Sequence, residues 1–159
     1  MYGGSVLAID YGRERLGLAI AEAETLLPRP LGTIGRLNRN EDMRRLREVV
    51  REHHVREIVV GLPLRLDGTR GDMAEEAGRF ARRLRKQFGL PVEMVDERLT
   101  SWEAERLLEE QSGRVLRVGK PHGKKKQRER ATVDSFAAAV ILKEYLESHP
   151  ATKDSSKNI

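Results

Sequence analysis

The chain has 159 residues, a length that suits one domain and leaves no room for a second. It contains no cysteine, which excludes a disulfide framework, thiolate zinc sites and cysteine nucleophiles. A formal charge of +5 and a pI near 9.7, with 35% of residues charged, favour a polyanionic partner without naming one.

The opening MYGGSVLAID has no basic segment followed by an apolar one, so no signal peptide is expected. No window approaches the roughly 18 apolar residues of a membrane span, and a soluble, cytoplasmic protein is the expectation. Val6–Asp10 and Leu16–Ala21 read as a hairpin of two strands joined by Tyr11-Gly12-Arg13-Glu14-Arg15. Leu31–Ile34 is a third short strand after the turn marked by Pro28 and Pro30. Glu41–His54 carries Met43, Leu46, Val50 and His54 at helical spacing, with Asn40 placed to cap it. Glu57–Gly61 is an apolar run suited to the interior of a sheet. From Asp72 to Phe88 a stripe of Met73, Ala77, Phe80, Leu84 and Phe88 predicts a helix, stopped by Gly89 with Pro91 beyond it. Val92–Val95 is a strand, and Thr100-Ser101-Trp102-Glu103 is a capping box that opens another helix. A Gly- and Lys-rich stretch, Gly113–Arg130, interrupts the pattern before a last helix from about Val133 to Glu147. Residues 1–148 form one domain in this reading, and 149–159 a disordered tail.

The order β-β-β-α-β-α-β-α-α has a geometric consequence. Hairpin partners run antiparallel, and strands joined through helices run parallel. A mixed five-stranded α/β sheet follows, its first three strands an antiparallel meander and the rest parallel, with helices flanking it. The first, third, fourth and fifth strands then end at one edge, beyond which ligands of open α/β sheets bind.

Asp10 ends the first strand, Asp96-Glu97 ends the fifth, and both fall at that edge, as does Gly61-Leu62-Pro63. Asp134 opens the last helix, whose Phe136, Ala137 and Val140 are suited to packing on the sheet. Each acid has an ordinary alternative: Asp10 bonding the amides of its turn, the others facing a helix N-terminus. Converging on one spot, however, three carboxylates repel unless a cation neutralises them. Mg²⁺ or Mn²⁺ binds such oxygen donors and leaves room for a phosphate substrate.

Four segments, VLAIDYGRERLGLAIAE, VVGLPLRLDGTRGDMAEEA, VDERLTSWEAE and KKKQRERATVDSFAAAVIL, resemble the successive motifs of the YqgF/RuvX family. The resemblance runs from about Val6 to Glu147, with the motifs in the family's order. It implies a ribonuclease H-like fold and a metal-dependent nuclease that leaves a 5′-phosphate. It also implies that Asp10, Glu97 and Asp134 are the catalytic, metal-holding acids, choosing Glu97 over Asp96. The related RuvC resolvases carry a fourth acid near the last aspartate, where this chain has Ala137. Two roles attach to the family: maturation of the 5′ end of 16S ribosomal RNA within the ribosome precursor, and resolution of Holliday junctions.

Gly113–Arg130 holds eight Lys or Arg residues against one Glu and leads into the helix of Asp134. Lys120, Lys124, Lys125, Lys126, Arg128 and Arg130 are therefore candidate nucleic-acid contacts, beside Arg13 and Arg15 in the hairpin turn. The same composition also suits a solvated mobile loop. Arg79, Arg82, Arg83, Arg85 and Lys86 form a positive helix face, read as solvated with a secondary contact as the alternative. Arg65 is a further anion candidate. Aromatics are scarce at 4%, with Tyr11 and Trp102 the candidates for stacking on bases. The four histidines lack metal-ligand spacing, and His53-His54 ends a helix. A metal-dependent endonuclease acting on structured RNA is the leading reading, with branched DNA second and a non-catalytic RNA- or ribosome-binding module third. A phosphotransferase of the actin and sugar-kinase type also opens on an Asp-x-Gly hairpin but needs two domains.

Overall fold

Val6, Leu7, Ala8 and Ile9 are all fully buried, which a strand achieves only when both faces of its sheet are covered. That strand, β1 (Ser5–Asp10), is central in a computed structural model that describes residues 3–62, 72–96 and 124–149. It is followed by β2 (Arg15–Ala21), β3 (Arg29–Gly35), α1 (Arg39–Glu52), β4 (Val55–Leu62), α2 (Asp72–Phe88), β5 (Val92–Asp96) and α3 (Lys124–Ser148). The sheet order is β3-β2-β1-β4-β5. β2 is antiparallel to both β1 and β3, while β4 is parallel to β1 and to β5. The meander and the parallel half agree with the sequence expectation, and β1, β3, β4 and β5 end at one edge. Pro30 is accommodated because β3 is the edge strand, where a missing N–H costs no ladder bond.

Alternation of side chains divides the interior into two cores. Leu7, Ile9, Leu16, Ile58 and Val60 pack with Met43 and Leu46 of α1 and Ala77, Phe80 and Leu84 of α2. On the other face, Val6, Ala8, Ala19, Ala21 and Val59 meet Ala138, Ala139, Ile141 and Leu142 of α3. Small side chains on both sides of that second contact let the helix lie close on the sheet. α3 lies mainly across β2, β3 and β1.

α2 has the bounds its apolar stripe predicts. Gly89, at φ +65, takes the left-handed conformation that ends it, and its N–H bonds the Arg85 carbonyl at 2.9 Å. Two boundaries depart from expectation. α1 is capped by Asn38, whose side chain accepts from the Glu41 N–H at 2.9 Å, so Asn40 lies inside the helix. Buried Asp42 explains that register, because it reaches back to the Leu37 N–H at 3.0 Å and to Arg36 at 3.1 Å. α3 begins at Lys124, not near Val133. The run KKKQRERAT reads as a basic loop by charge, yet Lys, Gln, Arg and Glu are good helix formers, and neither Gly nor Pro occurs from Lys124 to His149.

His53 closes α1, and His54, at φ +51, turns the chain directly into β4. His149, placed with the tail by the sequence reading, stacks on Tyr145 with ring centroids 4.2 Å apart. The rest of the expected tail, 150–159, and the helix expected from Thr100 lie outside the described residues. Among the described residues no helix is long and apolar enough to cross a membrane.

Candidate functional site

Asp10 is the last residue of β1, half-buried at the sheet edge where the parallel strands end. Val6 and Ala8 face α3, so two-residue alternation puts Asp10 on that same face. Its direct neighbours are Gly17 on β2 and Gly61 on β4. Neither has a side chain, which leaves the space on both flanks of the carboxylate to other groups. Gly61 in turn pairs with Val95 of β5, which also packs toward α3. With strands about 4.8 Å apart, Asp10 and Val95 stand roughly 10 Å from each other across the edge.

The direction of α3 carries it back toward the same edge. Near its end, the Tyr145 hydroxyl donates to the Glu57 carboxylate, close to the start of β4. Burial of that phenol, the Glu57 bond and the Glu57 charge push the Tyr145 pKa up, so it stays a neutral donor. Ser135 and the residues from Ala137 to Leu142 are buried or nearly so, which keeps the helix on the sheet as it runs back from Tyr145. Position 134 is 11 residues before Tyr145, about 16 Å along the axis. Glu57 to Gly61 covers about 13 Å of strand. Position 134, one turn before Ala138, therefore lies at the level of Asp10. Ala137 is buried in this helix. Of the three acids expected at the site, Asp10 ends β1, Asp134 lies within α3, and Glu97 lies outside the described residues. Among the described residues no three His, Asp or Glu side chains gather as a metal group.

The hairpin turn beside Asp10 is held from α2. Arg13 donates from Nε and Nη2 to the two Glu76 carboxylate oxygens at 3.1 and 3.0 Å. That bidentate contact holds the Glu76 carboxyl below its ordinary range. Arg13 remains half-exposed while paired, and Arg15 opens β2 opposite Gly35. Tyr11, a stacking candidate by sequence, belongs to the core: it is 8% exposed and its ring lies 5.2 Å from that of Phe80. A cavity of about 330 Å³ beside Asp10 is lined also by Gly12, Arg13, Arg15 and Met73. A Cβ on Gly12 would stand 2.6 Å from the Arg15 carbonyl oxygen, closer than real Cβ atoms come. Gly12→Ala is expected to open this turn and destabilise the fold by about 1–3 kcal/mol, measurable by denaturant unfolding. An unchanged midpoint would show that the close approach is dispensable.

Lys124, Lys125, Lys126, Arg128 and Arg130 occupy the first two turns of α3, ahead of position 134, so they are helical and not part of a loop. Lys120, Arg65 and Trp102 lie outside the described residues. Sequence reasoning missed the part played by Glu76, 63 residues from Arg13, and the glycine pair flanking Asp10. The second had a visible signal, since Gly17 and Gly61 each sit within an apolar strand where glycine needs a reason.

Residues 4–148 match the model of the RuvX family, described as a Holliday junction resolvase. A "Putative pre-16S rRNA nuclease" of Koribacter versatilis is 40% identical over 144 residues, 91% of this chain and 87% of the relative. Another of that name, from Azotobacter vinelandii, is 40% identical over 146 residues, 92% and 95% of the two chains. Among solved structures, RuvC of Thermus thermophilus superposes with a TM-score of 0.54 at 15% identity, covering 92% of this chain and 96% of that one. The same protein in complex with a Holliday junction substrate gives 0.53 at 16% identity, with 93% and 97% covered. These likenesses establish the ribonuclease H-like fold, and the sequence match carries the finer assignment: the chain belongs to the RuvX family.

Proposed function

We propose that the chain is a divalent-metal-dependent endonuclease that cleaves phosphodiester bonds in structured RNA. Its task is 5′-end processing of pre-16S rRNA within the ribosome precursor in the cytoplasm. The observation that carries the reading is Asp10 at the end of a buried central strand, between two glycines, with α3, the helix that contains Asp134, packed on the same face of the sheet. Gly17 and Gly61 put no side chain of their own beside that carboxylate. Glu97 is the next residue in the sequence after β5, and Asp134 precedes Ala138 by one helical turn. Asp10, Glu97 and Asp134 would together hold the ion, and oxygen-only donors fit Mg²⁺ or Mn²⁺. When bound, such an ion neutralises the three carboxylates and stabilises negative charge on the reacting phosphate. The names of the relatives, pre-16S rRNA nucleases, support RNA as the substrate.

The remaining contribution of the chain is electrostatic. Lys124, Lys125 and Lys126 stand at the start of α3, joined by Arg128 and Arg130, with Lys120 four positions earlier in the sequence. They draw phosphates toward a site whose own carboxylates would repel them. Changing Lys124, Lys125 and Lys126 together to Gln is expected to weaken RNA binding and to flatten its salt dependence. The slope of log affinity against log salt should fall by about 2 to 3. The same slope and affinity as in the unaltered protein would remove this segment from the interface.

The description of the family as a Holliday junction resolvase supports a second reading, in which branched DNA is the substrate. One experiment separates the possibilities. The purified chain with Mn²⁺ is offered a 5′-extended 16S precursor and a four-way DNA junction, with and without chelator. Chelator-sensitive cleavage of the RNA is the expected result, and cleavage of the junction alone establishes the second reading. Salt-sensitive binding without cleavage, equal in Asp10→Asn, would leave a binding module.

A further inference from the structure

On the sheet face opposite Asp10, the start of α1 and the middle of α2 enclose a second cavity of about 510 Å³. Five arginines line it, Arg13, Arg36, Arg39, Arg79 and Arg83, against two carboxylates. Both carboxylates are already engaged. Glu76 accepts from Arg13 and, at 3.4 Å, from the Tyr11 hydroxyl. Asp42 accepts from Arg36, from the Leu37 N–H and from Arg45. Among the described residues no carboxylate lies within ion-pair distance of Arg39, Arg79 or Arg83.

Arg36 is the fixed centre of the group. It bonds Asp42 and the Gly12 carbonyl at 3.1 and 3.2 Å, and its guanidinium lies 5.1 Å from the Tyr11 ring centroid and 5.6 Å from that of Phe80. Such a charge does not swing out to solvent to escape its neighbours. Burial, then the charges of Arg39, Arg36 and Arg79, lower the Arg83 pKa, as expected where cations crowd together. The cavity also adjoins the Asp10 site, because Tyr11 and Arg13 line both.

We propose that this arginine groove binds the phosphate backbone of the nucleic-acid substrate at a distance from the cleavage point, extending the substrate path across the β1–β2 turn. The proposal rests on the nuclease reading above and deepens it: the substrate must be long enough to span both faces of the sheet edge. Three guanidiniums with no ion-pair partner among the described residues, set on two helices, suit successive phosphates better than one small anion. Guanidinium also has the planar fork that matches phosphate oxygens.

The test compares RNA affinity across salt for Arg39→Gln/Arg79→Gln/Arg83→Gln, made in full-length protein carrying Asp10→Asn so that the RNA stays intact. The probe is a duplex stem with single-stranded flanks. Between 50 and 200 mM salt the parent should lose about 40-fold more affinity than the triple variant, as the loss of three phosphate contacts requires. Because Arg83 is partly buried, the double variant at the exposed Arg39 and Arg79 is measured as well, with an expected difference of about tenfold. Equal salt dependence in parent and both variants, with Lys124–Lys126 neutralisation still effective, overturns the groove and leaves the nuclease reading standing. No RNA binding by the parent at low salt overturns both. Saturable binding of inorganic phosphate, lost in the variants while RNA affinity is unchanged, marks a small-anion site and overturns the backbone assignment.

Discussion

Asp10→Asn is expected to reduce phosphodiester cleavage by more than about 100-fold, the upper end of what removing an outer-shell partner of a metal costs, because the proposed site loses one of its own ligands. The substitution keeps shape and hydrogen-bonding capacity, so the β1 edge and its pairing with Gly17 and Gly61 should persist. Folding stability is therefore expected to stay within about 0.5 kcal/mol, or to rise slightly without metal, since neutralising one member of the proposed carboxylate group would relieve repulsion. Loss of cleavage with an unchanged thermal midpoint is the signature of a functional acid. Cleavage at the unaltered rate would mean that Asp10 only serves its turn, and a large fall in midpoint would mean that its role is structural.

The largest stability effect is expected away from the sheet edge. Asp42 is 2% exposed and receives three donors: Arg36, the Leu37 N–H and Arg45. Asp42→Ala leaves the Arg36 guanidinium between Tyr11 and Phe80 with its carboxylate gone, and leaves the Leu37 amide without its acceptor. Removing one member of a buried ion pair typically costs about 3–5 kcal/mol. In a chain of this size that corresponds to a midpoint roughly 6–20 °C lower. The double change Arg36→Met/Asp42→Ala removes both charges and should be less destabilised than Asp42→Ala alone, because the Arg36 charge no longer stands without its carboxylate and only the more exposed Arg45 loses a partner. If the double variant proved the weaker of the two, the packing of Arg36 on Tyr11 and Phe80, not its charge, would be what Asp42 secures. The same pair positions the centre of the arginine groove, so Asp42→Ala should also perturb RNA affinity in protein that still folds.

The parts of the fold written in local pattern were legible. The hairpin of β1 and β2, the bounds of α2 and the left-handed Gly89 all follow from alternation, helical periodicity and termination chemistry. Topology then followed from chain order alone, which is how Asp10 could be assigned to the edge where β4 and β5 also end. What failed depended on choices between similar signals. Two asparagines compete for the N-cap of α1, and Asn38 prevails because Asp42 ties the preceding turn to the helix. The Lys-rich run preceding Asp134 reads as a loop by its charge, yet it is helical from Lys124, as its Lys, Gln, Arg and Glu residues allow. Pairs distant in sequence left no trace at all, as with Arg13 and Glu76 or Tyr145 and Glu57. Tyr11 likewise reads as a stacking residue until Phe80 is placed beside it. For the site, strand ends could bring Asp10 and the Asp96-Glu97 pair to one edge, but the choice of Glu97 came from family resemblance.

Mn²⁺ binding, followed by calorimetry in the unaltered chain and in Asp10→Asn, Glu97→Gln and Asp134→Asn, most directly tests whether the three acids form one metal site. Each substitution, in a folded protein, is expected to abolish or weaken the same binding event by at least tenfold. Three variants that all bind Mn²⁺ as tightly as the unaltered chain would contradict a shared site.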